Sequence, residues 1–446
     1  MLTISPFDSA LYSTLLSDQE AGHYLGDDAH IRAMLQVEAQ LALAQADCGL
    51  IPQDAAQAIA QVATHIQISA TALAADTGSA GVPVPALVQA LKQALPKEHA
   101  RWVHFGATSQ DIVDTALILN CRELLKLYEA RLSKVIGQLV QLACAHRNTL
   151  TAGRTRTQQA VPMCFGLKVA NWLTPLLRQQ QRLDELKPRL LKLQLAGAVG
   201  TLSTMQDKAI AITDALAQRL DLAVSQNWHT QRDSLVELAN WLAMTTGILG
   251  KVGQDWLLLG QTEVGEITFT NGGGSSTMPQ KCNPVSAELL VSLARHNAGQ
   301  IGQMHHAMLH EHERSGSAWT LEWLVLPTML MATAVALHHS SDALAHLQVN
   351  SKKMQANLGL YNGVIYAEAA TFALAKSMSR DQASTLVKQA CLQALNSERH
   401  LLDIIHEDSG VELNETQLQN DVLTGGATHS WLDHIIVSAQ HSLTDQ

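Results

Sequence analysis

The sequence predicts an all-α fold, with three helical domains and a central bundle of long helices. Three observations carry this. The 446 residues are 47% hydrophobic but only 4% aromatic, rich in the helix formers Ala, Leu and Gln, with just eleven prolines. Apolar residues repeat at i, i+3, i+4 spacing, as Leu125, Tyr128, Leu132, Val135, Ile136 and Leu139 do, and again Leu235, Leu238, Leu242, Leu249, Val252 and Trp256. The second repeat lies in a run from Ser234 to about Gly265 that contains no proline and far exceeds a typical helix.

In chain order, residues 1–105 read as an N-terminal domain of short helices and loops. Asp28 caps a predicted helix reaching Leu43, with Ile31, Met34, Leu35, Val37 and Leu41 on its apolar side. Residues 76–87 (DTGSAGVPVPAL) read as a Gly/Pro loop. Residues 106–349 form the central domain, with further long helices expected over 162–195, 284–312 and 327–345. Residues 350–446, where Gly425-Gly426 breaks the pattern, read as a small C-terminal helical domain. Broad apolar faces on helices this long require one another or a partner chain, so an oligomer is expected.

Thirty basic against forty acidic residues give a net charge of −10 with no basic run, which points to neither nucleic acid nor an anionic membrane. The N-terminal stretch has no basic region of the kind that opens a signal peptide, and the longest apolar run, Trp323 to Leu337, is too short for a bilayer and contains Pro327. Six cysteines without C-x-x-C spacing suit a reduced, cytoplasmic enzyme.

Gly272 to Pro284, reading GGGSSTMPQKCNP, is the most informative stretch. Three glycines permit close backbone approach to a ligand. A serine is a poor base unless nearby charge and N–H groups lower its pKa, and Lys281, in a tight loop before a helix N-terminus, supplies such a field. A bare GGGSS would be a flexible surface loop; the whole stretch is more specific. A second block, His104 to Asp111 (HFGATSQD), offers Thr108 and Ser109 as an anion site at a helix N-terminus, unless they serve only as ordinary caps. A third, Gly153 to Pro162 (GRTRTQQAVP), brings two arginines and several amides before an expected proline-initiated helix, unless it is merely solvated surface.

Together these blocks resemble, in the same order, the three signature regions of the fumarase/aspartase superfamily: (H)-x-G-x-T-S-x-D, G-R-T-H-x-Q-x-A-x-P and GSSxMPxKxNP. The resemblance implies a homotetramer whose active sites each draw on three subunits. It makes Ser275 the base that removes a proton α to a carboxylate, with Lys281 and Asn283 holding the substrate carboxylate and its developing charge. No metal or other cofactor is implied.

One departure narrows the reaction. Where fumarases and the adenylosuccinate and argininosuccinate lyases have the histidine linked to protonating the leaving group, paired with a glutamate matching Glu288, this chain has Arg156. An arginine, with a pKa above ~12, is no general acid. Amine and hydroxide leaving groups need a proton; a carboxylate, with a pKa of about 4, does not. Trp228 to Asp233 (WHTQRD) and Glu311 to Trp323 (EHERSGSAWTLEW) resemble blocks of the 3-carboxy-cis,cis-muconate cycloisomerase branch, apart from Ser317 where glycine is usual. That branch often has tryptophan, also without a titratable acid, in place of Arg156.

The expected activity is therefore lactonisation of a small tricarboxylate, 3-carboxy-cis,cis-muconate, in the protocatechuate branch of aromatic catabolism. Expected substrate contacts are Arg232, Arg156, Thr108, Ser109, Gln158 and Asn283, with His104 nearby. Three readings compete with this one. An adenylosuccinate-type lyase would have histidine at 156 and arginine in place of Leu289. An argininosuccinate-type lyase would also have the histidine, and a non-catalytic homologue is opposed by the intact Ser275, Lys281 and Asn283. His306 and His310 have the i, i+4 spacing of a helical metal pair, but no third-ligand cluster accompanies them, and no metal is expected.

Overall fold

Long helices dominate the computed structural model, which describes residues 4–274 and 277–444. The longest is Ser109–Ala145; the others, in chain order, are Phe165–Leu190, Asp233–Leu259, Val285–His306 and Ser317–His346. Strands among the described residues are confined to three two-stranded ladders. The all-α expectation holds.

The chain divides into two compact units, each built from three separate segments. The first comprises Met1–Arg131, Gln179–Gly247 and Leu293–His338. Its core joins the long helices through buried polar ties as well as apolar packing. Tyr128, wholly buried, donates its hydroxyl to the carbonyl of Leu330 at 2.7 Å and stacks on Trp241, whose indole N–H donates to the carbonyl of Gln179 at 2.9 Å. Asn297 donates to Thr333 Oγ1 and to the Met329 carbonyl. Such ties satisfy groups that would be costly if buried alone. In this unit the Asp27–Asp47 helix packs on Gln53–His65 and on Ala209–Leu220.

The second unit comprises Leu132–Arg178, Ile248–Ser292 and His339–Gln446. A chain of edge-to-face aromatic contacts runs from Phe165 through Trp172 and Trp256 to Phe269, with centroids 6.1, 6.4 and 5.7 Å apart. Strand Ile267–Phe269 pairs antiparallel with Leu347–Val349. The C-terminal helices bury Leu358, Tyr366, Leu374, Val387 and Ile405 in one core, which also receives Leu150 and Ala152.

Several element bounds differ from expectation. Residues 153–164 are not a loop leading into a helix at Pro162 but a β-hairpin, Leu150–Thr155 against Gln158–Cys164, and the helix starts at Phe165. In a two-stranded hairpin both strands are edges, so Pro162 costs no ladder bond that the sheet needs. Most of residues 76–87 are helical: Ala70–Ala80 ends at Gly81, whose φ is 74°, and Val84–Gln93 begins right after Pro83. There glycine and proline punctuate two helices rather than open a long loop.

Pro327 lies inside the Ser317–His346 helix, whose true start is marked by Ser315, the acceptor for the Ala318 N–H at 3.3 Å. By length and composition this helix passes for a membrane span, yet 67% of its most apolar window is buried inside the protein, as a core helix would be. The helix expected from Asp28 begins instead at Asp27 after Gly26, with no cap from Asp28.

Candidate functional site

In the first unit the block at His104 turns sharply into the Ser109–Ala145 helix. Gly106 takes φ 74°, and a Cβ there would meet Thr204 Oγ1 at 2.7 Å, so both conformation and space demand glycine. Asp111 fixes the helix start. It accepts from the backbone N–H groups of Thr108, Ala196 and Gly197 at 2.9, 2.9 and 3.0 Å, and from His229 Nε2 at 2.8 Å. Thr108 and Ser109 therefore sit half-buried at a helix N-terminus, held from beneath by a buried carboxylate. Thr108 Oγ1 accepts from Nη1 of the exposed Arg314 at 2.5 Å.

One turn further along, Asp114 anchors a buried ion network. Arg232 is 1% exposed. Its Nη1 and Nη2 donate to Asp114 at 2.6 and 3.1 Å, its Nε and Nη2 donate to Glu322 at 2.8 and 2.6 Å, and Nη1 also reaches the Trp228 carbonyl. The guanidinium faces the Trp228 ring at 4.8 Å, and Trp319 and Gln110 complete the shell of Asp114. Burial pushes Glu322 up, but His310, with Nε2 3.7 Å away, and the hydrogen-bonded Arg232 outweigh it and hold the carboxyl below its ordinary range. Burial likewise opposes the charge on Arg232, and Asp114 with Glu322 overrides that and raises its pKa.

The expectation that Arg232 offers its charge to a substrate carboxylate does not fit this placement. Its donors are engaged by two carboxylates inside the protein, and what it provides there is framework. The blocks at 106–111, 228–233 and 311–323 thus meet chiefly in a buried network.

His104 has φ 60° and donates through Nδ1 to Oε1 of Glu38 at 2.6 Å. Burial disfavours its charge, but the Glu38 carboxylate outweighs burial and raises its pKa above the ordinary value.

In the second unit the hairpin presents Arg156 and Thr157 as a two-residue turn, with Thr155 opposite Gln158. Both turn residues have positive φ, 50° and 69°, where such turns favour Asn-Gly. A β-branched residue in that region is strained by roughly 1–3 kcal/mol. The hairpin base resists it: fully buried Glu266 accepts from Arg154 at 2.6 and 3.0 Å, from Thr151 at 3.1 Å and from Asn357 at 2.8 Å. Arg156 and Gln158 are exposed at the tip. Gln158 borders a cavity of about 540 Å³, lined also by Arg154, Asn357 and Tyr361.

The signature loop belongs to the same unit. A two-residue ladder pairs Gly273 with Asn283 and Gly274 with Cys282, closing the loop at its neck. A Cβ on Gly272 would overlap Cys282 Sγ and fall 2.9 Å from the Asn283 carbonyl. The Lys281 N–H donates to the Met278 carbonyl at 3.0 Å, leaving the Lys281 side chain exposed and Asn283 half-buried. Ser275 and Ser276 lie outside the described residues. Glu288 is exposed in the first turn of the Val285–His306 helix. That helix ends at His306, so His306 and His310 share no helical face.

Sequence reasoning missed Glu38, Glu266 and Arg314. The signal for Glu38 was an acid within the apolar run Met34-Leu-Gln-Val-Glu-Ala; for Arg314 it was membership of the 311–323 block.

Comparison with known proteins shows the family. The profile of a family described as Lyase matches residues 17–299, and one described as the adenylosuccinate lyase C-terminus matches residues 363–423. The chain is 39% identical to 3-carboxy-cis,cis-muconate cycloisomerase of Acinetobacter baylyi, over 92% of this chain and 93% of that protein. It is 37% identical to trans-aconitate decarboxylase 1 of Mycosarcoma maydis, over 92% of this chain and 85% of the relative. The crystal structure of 3-carboxy-cis,cis-muconate lactonizing enzyme from Pseudomonas putida superposes with a TM-score of 0.91 at 37% identity, covering 97% of this chain and all (100%) of that one.

Proposed function

Because the chain belongs to the lyase family of the fumarase/aspartase superfamily, and within it to the 3-carboxy-cis,cis-muconate cycloisomerase branch, we propose that it lactonises 3-carboxy-cis,cis-muconate reversibly. The observation that carries the reaction type is Arg156. An arginine cannot protonate a leaving group, and a carboxylate leaves without protonation.

In the lactonising direction one substrate carboxylate adds to a double bond. The electron pair moves onto the carbon α to another carboxylate, and that carbon takes up one proton. In reverse, Ser275 removes the α-proton, an aci-carboxylate forms, and the lactone carboxylate departs. The added charge of that intermediate calls for fixed donors. Lys281, Asn283 and the loop N–H groups are assigned to it, and the tight neck at Gly272–Gly274 supports their fixed placement. The remaining carboxylates are assigned to Thr108, Ser109, Arg156 and Gln158, with Arg314 in the role that the sequence suggests for Arg232. Assembly as a homotetramer with sites shared between three subunits belongs to the same reading. So does a cytoplasmic place in protocatechuate catabolism. Exposed Met244, Leu258 and Leu324 on largely buried helices support association.

The test is loss of ultraviolet diene absorbance when the purified protein meets 3-carboxy-cis,cis-muconate. Rapid loss that EDTA does not affect is expected. A second reading, decarboxylation of an unsaturated tricarboxylate, rests on the 37% identity to the trans-aconitate decarboxylase. Carbon dioxide release from trans-aconitate, without diene loss from the muconate, would replace the first reading by the second.

Gly272 offers a further check. Alanine there drives its Cβ into Cys282 and displaces the strand that carries Asn283. Displacement by about an ångström costs on the order of a hundredfold in turnover. Gly272→Ala is expected to lose activity on that scale while its thermal midpoint stays near the parent's, since the loop lies outside the core. Normal turnover would show that the neck does not position the reacting groups.

A further inference from the structure

We infer that Glu38 is a positioning residue that holds His104 as an imidazolium, so that the ring's Nε2–H meets a substrate carboxylate. This rests on the cycloisomerase reading above. Glu38 projects from the Asp27–Asp47 helix among buried Met34, Leu35, Val37 and Leu41, and its side chain is 1% exposed. Its Oε1 accepts from His104 Nδ1 at 2.6 Å, whereas Oε2 is buried with no hydrogen-bond partner among the described residues. An incompletely satisfied buried carboxylate is a poor stabilising device, since an apolar residue of similar size commonly does as well or better. The cost points to a role other than stability.

His104 itself is held at φ 60°, a conformation unusual for any residue but glycine, at the entry to the Thr108–Ser109 turn. Its side chain keeps 19% exposure. Because Nδ1 is committed to Glu38, the nitrogen left to face a ligand is Nε2. Three charged groups bear on the ring: Glu38 from the Asp27–Asp47 helix, Asp111 from the Ser109–Ala145 helix and Lys92 from the Val84–Gln93 helix. The two acids outweigh the lysine and the burial, so the ring stays charged above the ordinary histidine range. With Arg232 already neutralised by Asp114 and Glu322, a charged imidazole at the entry to the turn that carries Thr108 and Ser109 supplies a cation that a tricarboxylate requires.

The sign follows directly. In the parent protein the imidazolium persists above the ordinary value of about 6.5 and is lost as pH rises through the raised pKa. In Glu38→Gln burial is no longer opposed by the carboxylate, so the ring titrates lower. At about pH 7.5 that variant is expected to show KM raised about tenfold or more with kcat little changed, the loss shrinking as pH falls towards 6.

A direct reading comes from NMR of histidine-labelled protein, with the His104 ring signal identified by its loss in His104→Gln. That signal should titrate above the ordinary range in the parent and below it in Glu38→Gln. It should also shift when propane-1,2,3-tricarboxylate is added to the parent. A signal that titrates identically in both proteins overturns the pairing; a Glu38-dependent titration with no response to the tricarboxylate overturns the ligand contact. If Glu38→Gln does not fold, Glu38→Asp, which withdraws the carboxylate by one methylene, must give an intermediate titration. These signals remain readable without turnover, so failure of the cycloisomerase assay and failure of this inference are separate results.

Discussion

Ser275→Ala is expected to lower lactone formation by about 10³-fold or more, with the helical circular dichroism and the assembly size unchanged. The serine lies outside the described residues, but the chain on either side of it is constrained. Gly273 and Gly274 pair with Asn283 and Cys282, and the Lys281 N–H closes a turn onto the Met278 carbonyl. The loop is therefore pinned at a neck that also carries the lysine, and alanine in place of Ser275 leaves that neck intact while deleting the only group assigned to move the α-proton. The same variant should lose exchange of the lactone α-proton with deuterated water. Retained exchange or near-normal turnover would give the proton transfer to another group and remove the serine from the mechanism.

The long helices are legible in the sequence because their apolar spacing is a local property. The repeats over Leu125–Leu139 and Leu235–Trp256 correspond to buried faces of the Ser109–Ala145 and Asp233–Leu259 helices. Proline is the less reliable guide. Pro162 and Pro327 both read as helix starts, yet Pro162 lies in a hairpin strand and Pro327 inside a helix already begun at Ser317. In each case tertiary packing overrides a rule about one residue's backbone preference. The hairpin is further disguised because its turn is Arg156-Thr157, without the glycine or asparagine that positive φ favours.

The site is legible in part for a different reason. Its blocks are contiguous, and each occupies one turn, one hairpin or one loop. What one-dimensional reading does not supply is the pairing of charges. Arg232 meets Asp114 and Glu322, which are 118 and 90 residues away, and Glu38 meets His104 across 66. In the sequence Arg232 is one more cation for an anionic substrate. Its fork–fork geometry with two buried carboxylates assigns it instead to tying residues 109–131 to residues 317–338 within the first unit.

That assignment carries a large expected effect on stability. Arg232→Leu leaves Asp114 and Glu322 buried without their cation, and breaking a buried pair by removing one partner costs roughly 3–5 kcal/mol. The urea midpoint should fall accordingly, and more than half of the loss should return when Asp114→Asn and Glu322→Gln are added, because the uncompensated charges are what destabilise the single variant. Acid should act on the parent in the same direction. Glu322 has a folded pKa below its unfolded value of about 4.3, so its contribution is present above that pH and is lost as pH falls through the folded pKa. The single Arg232→Leu variant lacks this contribution and should show a flatter fall in stability below about pH 4. A variant that keeps the parent's urea midpoint, yet binds the muconate tenfold or more weakly, would return Arg232 to the substrate.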